Sequence, residues 1–160
     1  MVRSGIRKNE EIERSACVEG LLTRQQELFG RLDTLSQKQA QLIHDDETDR
    51  LLRLLTERQD IIDQIARTNS ELEPYRGRWE AFMDELPEVN RQRVKTRLDA
   101  VAHLAGVIAQ RDEVDRRELQ VRRDAMVTEL SRVATGRGAI AAYGSFGEEE
   151  PGARFQDREA

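Results

Sequence analysis

The sequence predicts an all-α protein, an antiparallel helical hairpin packed on a long C-terminal helix, with a disordered acidic C-terminal tail. Three observations carry this prediction. Apolar residues recur at alternating three- and four-residue spacing through most of the chain, the signature of a helix face. Charged residues make up 36% and aromatics 4%, which suits long solvated helices and not a sandwich or an α/β enzyme. From Pro87 to Val133 there is no further proline and one glycine, Gly106. The expected organisation is a disordered lead over 1–8, a helical coiled-coil or bundle domain over 9–143, and a disordered tail over 144–160.

The first helix is expected from about Asn9 to Ile43. Val18, Leu21, Gln25, Leu28, Leu32, Leu35, Gln39 and Leu42 keep the coiled-coil spacing, and Leu22, Phe29 and Ile43 widen the stripe. Gln25 and Gln39 are polar slots that weaken the seam and fix register. Gly20 and Gly30 each cost about 1 kcal/mol relative to Ala, so this helix needs packing partners. His44-Asp45-Asp46-Glu47-Thr48-Asp49 breaks the pattern and reads as a solvated turn, with Asp45 or Asp46 capping the next helix. It lacks calcium-loop spacing and a second histidine at helical distance, so no metal site is expected.

The second helix is expected from about Thr48 to Glu73, with Leu51, Leu55, Ile62, Ile65 and Leu72 on its seam and Arg58 and Asn69 in polar slots. A short turn between two amphipathic helices predicts a hairpin. Tyr75 to Leu86 carries Trp79, Phe82, Met83 and Leu86 and is expected to form a short helix plugging one end of that hairpin. The residue before Pro87 is biased away from helix, and Pro87 is suited to open the next one.

The long helix is the organising element. At 1.5 Å per residue, Pro87 to Val133 spans roughly 70 Å, too long for a small core to wrap. Val94, Leu98, Val101, Ala105 and Ile108 form one seam, which resumes at Leu119, Met126 and Val133 after Asp112, Asp115 and Arg122. Ala100, Leu104, Val107, Val114, Val121 and Ala125 form a second, nearly opposite. The bland reading packs both faces against the chain's own helices; the sharper one reserves a face for a partner. Asp112 and Asp115 read as charges that keep an open seam soluble. Arg91, Arg93, Lys95 and Arg97 alternate sides and read as a solvated face. Gly136-Arg137-Gly138 predicts the helix end, and Glu148 to Ala160 has no apolar periodicity to bury.

Composition narrows function by exclusion. A formal net charge of −5 disfavours nucleic acid as a partner. The lone Cys17 allows no internal disulfide, fits a reducing compartment, and reads as a small hydrophobe. No apolar leader and no membrane-spanning run is present, so a cytoplasmic location is expected. No nucleophile elbow, phosphate loop, paired zinc ligands or dinucleotide fingerprint occurs, so neither an enzyme nor a cofactor site is expected.

The run Leu51-Leu52-Arg53-Leu54-Leu55-Thr56-Glu57-Arg58-Gln59-Asp60-Ile61-Ile62, the later Arg111-Asp112-Glu113-Val114-Asp115-Arg116-Arg117-Glu118-Leu119, and the closing Ala142-Tyr143-Gly144 carry a resemblance. Over roughly Gly20 to Gly144 the chain resembles the FlgN/FliT-type flagellar export chaperones. The resemblance implies a small helical cytosolic protein that holds late export substrates, hook-associated proteins above all, and delivers them to the export gate. It implies a client surface at Val114, Leu119, Val121, Met126 and Leu130, and a separate export-gate contact at Tyr143. The resemblance implies no catalytic residue, metal, nucleic acid or membrane insertion, and allows a weak homo-oligomer. The alternative is a structural coiled-coil protein acting by self-association, or a non-flagellar helical adaptor.

Overall fold

A computed structural model describes residues 2–146, with side chains over 5–144. The acidic stretch expected beyond Gly147 lies outside the described residues. Four helices follow one another: α1 (Val2–His44), α2 (Thr48–Arg76), α3 (Trp79–Glu85) and α4 (Glu88–Phe146). The predicted all-α class and the hairpin on a long helix are both present. The described residues form two units, one ending at Arg117 and the other starting at Glu118.

In the first unit, polar contacts give the directions of the helices. Gln25 of α1 bonds Asn69 of α2 at 2.5 Å, and Gln39 of α1 accepts from Arg58 of α2 at 2.6 Å. As one number rises the other falls, so α1 and α2 are antiparallel. Asn90 donates to Ser15, Arg97 to Gln26, Arg111 to Asp33, and Gln39 to Asp115. Those numbers rise together, so the first part of α4 runs parallel to α1.

The apolar stripes meet in two clusters. Near the α3 end, Val18, Leu22, Leu72, Phe82, Met83, Leu86 and Val94 are buried, with Leu21, Tyr75, Trp79 and Leu98 packed against them. Further along, Leu28, Leu32, Leu35, Leu54, Ile61, Ile65 and Ile108 are buried together. Full burial of one such side chain contributes about 1.5–3 kcal/mol. The short helix plugs the hairpin as expected, and Trp79 is only half-buried, 5.5 Å from the Phe82 ring.

The α1–α2 turn is closed by the backbone, not by an aspartate cap. Glu47 N–H donates to the Leu42 carbonyl at 3.0 Å and Asp46 N–H to that of Ile43 at 3.3 Å. This paired closure needs a left-handed residue where glycine is usual, and here Asp46 takes it at φ 57°. Glu47 stands before α2 without a side-chain cap bond, so neither Asp45 nor Asp46 has the expected role. A second closure sits between α3 and α4. Leu86 is extended at ψ 142°, as a residue before proline should be. Arg91 then reaches back to the carbonyls of Met83 at 3.0 Å and Leu86 at 3.2 Å, the first of which also accepts the Leu86 N–H.

Several expectations need correction. α1 begins at Val2, so residues 2–8 are helical and not a disordered lead; Ile6 and Ile12 stay exposed because this turn runs ahead of the first buried residue, Ser15. α2 continues through Pro74 to Arg76. A proline near a helix end forfeits one hydrogen bond, which the packing of Leu72 and Tyr75 into the first cluster offsets. Arg91 and Arg97 bond across helices, and Arg93 lies 3.8 Å from Glu19, so the basic run is not a solvated face. Cys17 is exposed instead of acting as a core hydrophobe. Its hydrogen bond to Tyr75, followed by burial of the phenol, raises the Tyr75 pKa. α4 does not stop at Gly136: neither Gly136 nor Gly138 takes a positive φ, and the helix runs to Phe146.

The turn supplies a prediction. Asp46→Gly removes the penalty of a left-handed side-chain residue, and the resulting gain in folded-state stability is offset only in part by the greater freedom glycine gives the unfolded chain. The expected outcome is a gain of up to about 1 kcal/mol in urea unfolding. An equal loss would show that the Asp46 side chain supports the turn.

Candidate functional site

Two sets of seam residues remain once the apolar clusters are counted, and they behave differently. In the first unit the polar slots around Arg58 pair with one another. Arg58 is buried, and its guanidinium donates to both carboxylate oxygens of Asp112, at 2.7 and 2.5 Å, and to the Gln39 carbonyl oxygen. The Gln39 amide donates in turn to Asp115 at 2.8 Å. Asp115 is only 3% exposed. The carboxylates read from the sequence as solubilising charges are therefore members of a network joining α1, α2 and α4, Asp112, with its side chain 39% exposed, at its edge and Asp115 in its interior. Burying a carboxylate is costly unless it is paired and hydrogen-bonded, and this one is.

In the second unit the seam has no such partner among the described residues. Leu119 is 43% exposed, and Met126, Leu130, Val133 and Ile140 are exposed as well. On a straight helix at 100° per residue these five fall within about 80° of one another, so they form one stripe. Tyr143, 81% exposed, stands about 60° beyond Ile140 on the same helix. Val121 is exposed on the opposite side. Val114 lies in the first unit, 62% exposed, on the second seam.

The structure thus brings Leu119, Met126 and Leu130 together and separates Val121 from them. It also changes the setting of Tyr143, which was expected beyond a helix stop and is instead an exposed helical residue bordering the stripe. Ile140 and Tyr143 do not fold back to cap a core; both point to solvent. Ile140 is missing from the sequence-based surface because Gly136-Arg137-Gly138 predicts a helix end before it. The available signal was its position seven residues after Val133, in register with Met126 and Leu119.

From Glu113 onwards α4 carries several local charge pairs. Arg122 bonds Glu118 at 2.8 Å, and Arg132 approaches Glu129 at 4.0 Å. Arg116 and Arg117 both donate to Glu113, at 3.0 and 2.9 Å, and these hydrogen bonds pull its carboxyl down to about 2. Among the described residues no three of His, Cys, Asp and Glu converge as metal ligands. None of the helices is long and apolar enough to cross a membrane. The arrangement offers a helix face for packing, through dispersion and burial. No protein-family model, curated protein or solved structure matches the chain.

The Glu113 cluster gives a pH prediction. Its folded pKa lies below the ordinary carboxylate value, so whatever it contributes is present above that ordinary value and is lost as pH falls towards about 2. In a carboxyl carbon NMR titration, Glu113 is expected to titrate near pH 2 and to return towards the ordinary range in an Arg116→Gln, Arg117→Gln variant. An unchanged midpoint in that variant would place the cause elsewhere.

Proposed function

We propose that the protein is an export chaperone of the flagellar type. It binds helical segments of late substrates such as hook-associated proteins in the cytosol and carries them to the export gate. The observation that supports this reading is the apolar stripe Leu119, Met126, Leu130, Val133 and Ile140, exposed on one helix face. Contiguous exposed apolar surface marks interaction sites, and an amphipathic helix can lie along such a stripe through its own apolar face. The helical frame of the first unit and the leucine-rich resemblance stated above agree with it.

The helix itself adds to the argument. Gly136 and Gly138 lie within it, and each costs about 1 kcal/mol relative to Ala. Most helical stability in proteins comes from packing, so this part of α4 gains from a partner. Tyr143 is the gate-contact residue in this reading: an exposed aromatic with few internal contacts is a ready anchor for a second protein. Val121 faces away from the stripe and takes no part in client binding here, and Val114, in the first unit, is not assigned to it.

The test is direct binding, by calorimetry, of terminal helical segments from hook-associated proteins. Leu119→Asp with Met126→Asp is expected to weaken binding at least tenfold, at 1.4 kcal/mol per decade, while circular dichroism keeps its helical signal. Val121→Asp is expected to bind as the parent does. Tyr143→Ala is expected to retain client binding and to weaken capture by an export-gate component. Client binding that survives the double substitution would remove the chaperone reading of this face.

A further inference from the structure

We propose that, in the absence of a client, the α4 stripe beyond Arg117 is covered by the same stripe of a second copy, in an antiparallel pair. The seam itself carries the argument. Continued at its four- and three-residue spacing, it reads Leu119, Arg122, Met126, Glu129, Val133, Gly136, Ile140 and Tyr143. Two of its slots hold charges of opposite sign, one heptad apart. A covering helix must therefore present a negative group near Arg122 and a positive group near Glu129.

A second copy meets that demand only when reversed. In a parallel, in-register pair Arg122 would face Arg122 and Glu129 would face Glu129. Arg132 would also meet Arg137 of the other chain at the flanking positions that set pairing in parallel coiled coils. Reversal with the axis between Val127 and Thr128 places Arg122 within a helical turn of Glu129 of the second copy, twice by symmetry. Arg122 is already bonded to Glu118 at 2.8 Å, but a guanidinium has five N–H donors and can serve both carboxylates. In the same alignment Leu119 lies over Gly136 of the second copy, where the missing side chain leaves room. Flanking Arg123 meets Leu130 and flanking Arg132 meets Ala125, so no like charges oppose.

The pairing is isologous and closes on itself, as two-fold dimers do. It covers Leu119, Met126, Leu130 and Val133, the residues that the client reading assigns to the client. The two occupants therefore compete. With one helix from each copy and charged groups in two core layers, the pair is a weak one that a client can displace.

Charge exchange tests it, with sedimentation velocity across a concentration series of the full chain as the readout. The parent is expected to dimerise reversibly. Arg122→Glu alone and Glu129→Arg alone are each expected to weaken dimerisation at least tenfold. The double exchange is expected to restore it, because the pair re-forms with its signs reversed; a parallel dimer would regain nothing. An equimolar mixture of the two single variants is expected to form the mixed dimer, which also shows that each variant is folded. A monomeric parent at all concentrations, or single variants that dimerise as the parent does, would overturn the proposal. Client titration of the single variants separates it from the chaperone reading. If dimerisation fails the test while clients still bind the stripe, only this inference falls. If the dimer behaves as expected and clients bind none of the chains, the chaperone reading falls and the pairing stands.

Discussion

The contact on which the first unit depends is the one Arg58 makes. A coiled-coil stripe of leucines tolerates sliding, since one apolar layer resembles the next. A buried guanidinium does not. Arg58 of α2 reaches Gln39 of α1 and Asp112 of α4, and Gln39 passes the constraint on to Asp115. Any shift by one heptad would break the buried Gln39–Asp115 bond. Such a network adds little net stability over an apolar core of the same volume; its effect is to make one register far better than its neighbours. The Gln25–Asn69 pair repeats the device between α1 and α2 near the other cluster. Polar residues in the seam therefore define the architecture, and the leucines around them supply most of its stability.

Much of this was legible in the sequence. Helix identity followed from spacing, because the apolar period cannot serve a strand and a helix alike. The end of the short helix at Trp79 followed from Pro87, whereas Pro74 lies inside α2 and does not mark its start. What the sequence did not reveal was the pairing of polar slots. Gln39, Arg58, Asp112 and Asp115 were each visible as breaks in a stripe, but matching them required knowing which layers of three helices coincide. Asp112 and Asp115 were misread for that reason: a carboxylate in a seam is solubilising if the seam is open and structural if a guanidinium or an amide sits opposite. Gly136 and Gly138 misled in another way. Glycine ends a helix when a left-handed φ is used, and here it is not. The alanines and Ile140 that follow carry the helix onwards, and with it Tyr143.

The candidate surface was legible in part for a related reason. Exposure is not a property of a residue but of what is left uncovered. Leu119 and Ile108 occupy the same seam of α4, yet Ile108 is buried by α1 and α2 and Leu119 is not. Spacing gives the face, and only the packing of the other helices shows where the face runs out of partners. The same holds for Val121, which the resemblance groups with Leu119 and Met126 although it lies on the second seam, on the other side of the helix.

A single seam thus runs through α4 and is completed in two ways. Up to Asp115 its polar slots are answered within the chain, by groups on α1 and α2, and the helix is fixed. From Leu119 onwards Arg122 bonds Glu118, and Glu129 lies near Arg132, both pairs along the helix itself. The Arg132 pair is exposed and the Arg122 pair half-buried; pairs of this spacing contribute little, on the order of 0.2–0.5 kcal/mol each, so giving them up in part for a partner costs little. Glycines at 136 and 138 lower the intrinsic stability of the same segment. Both features act in one direction. They keep the affinity for any single partner modest, since part of each binding energy is spent on ordering the helix. They also leave the apolar stripe as the common currency for whichever helix occupies it. A chain that must hold a partner and later release it is served by that combination, whereas a permanent coiled coil would be better served by leucine at every slot.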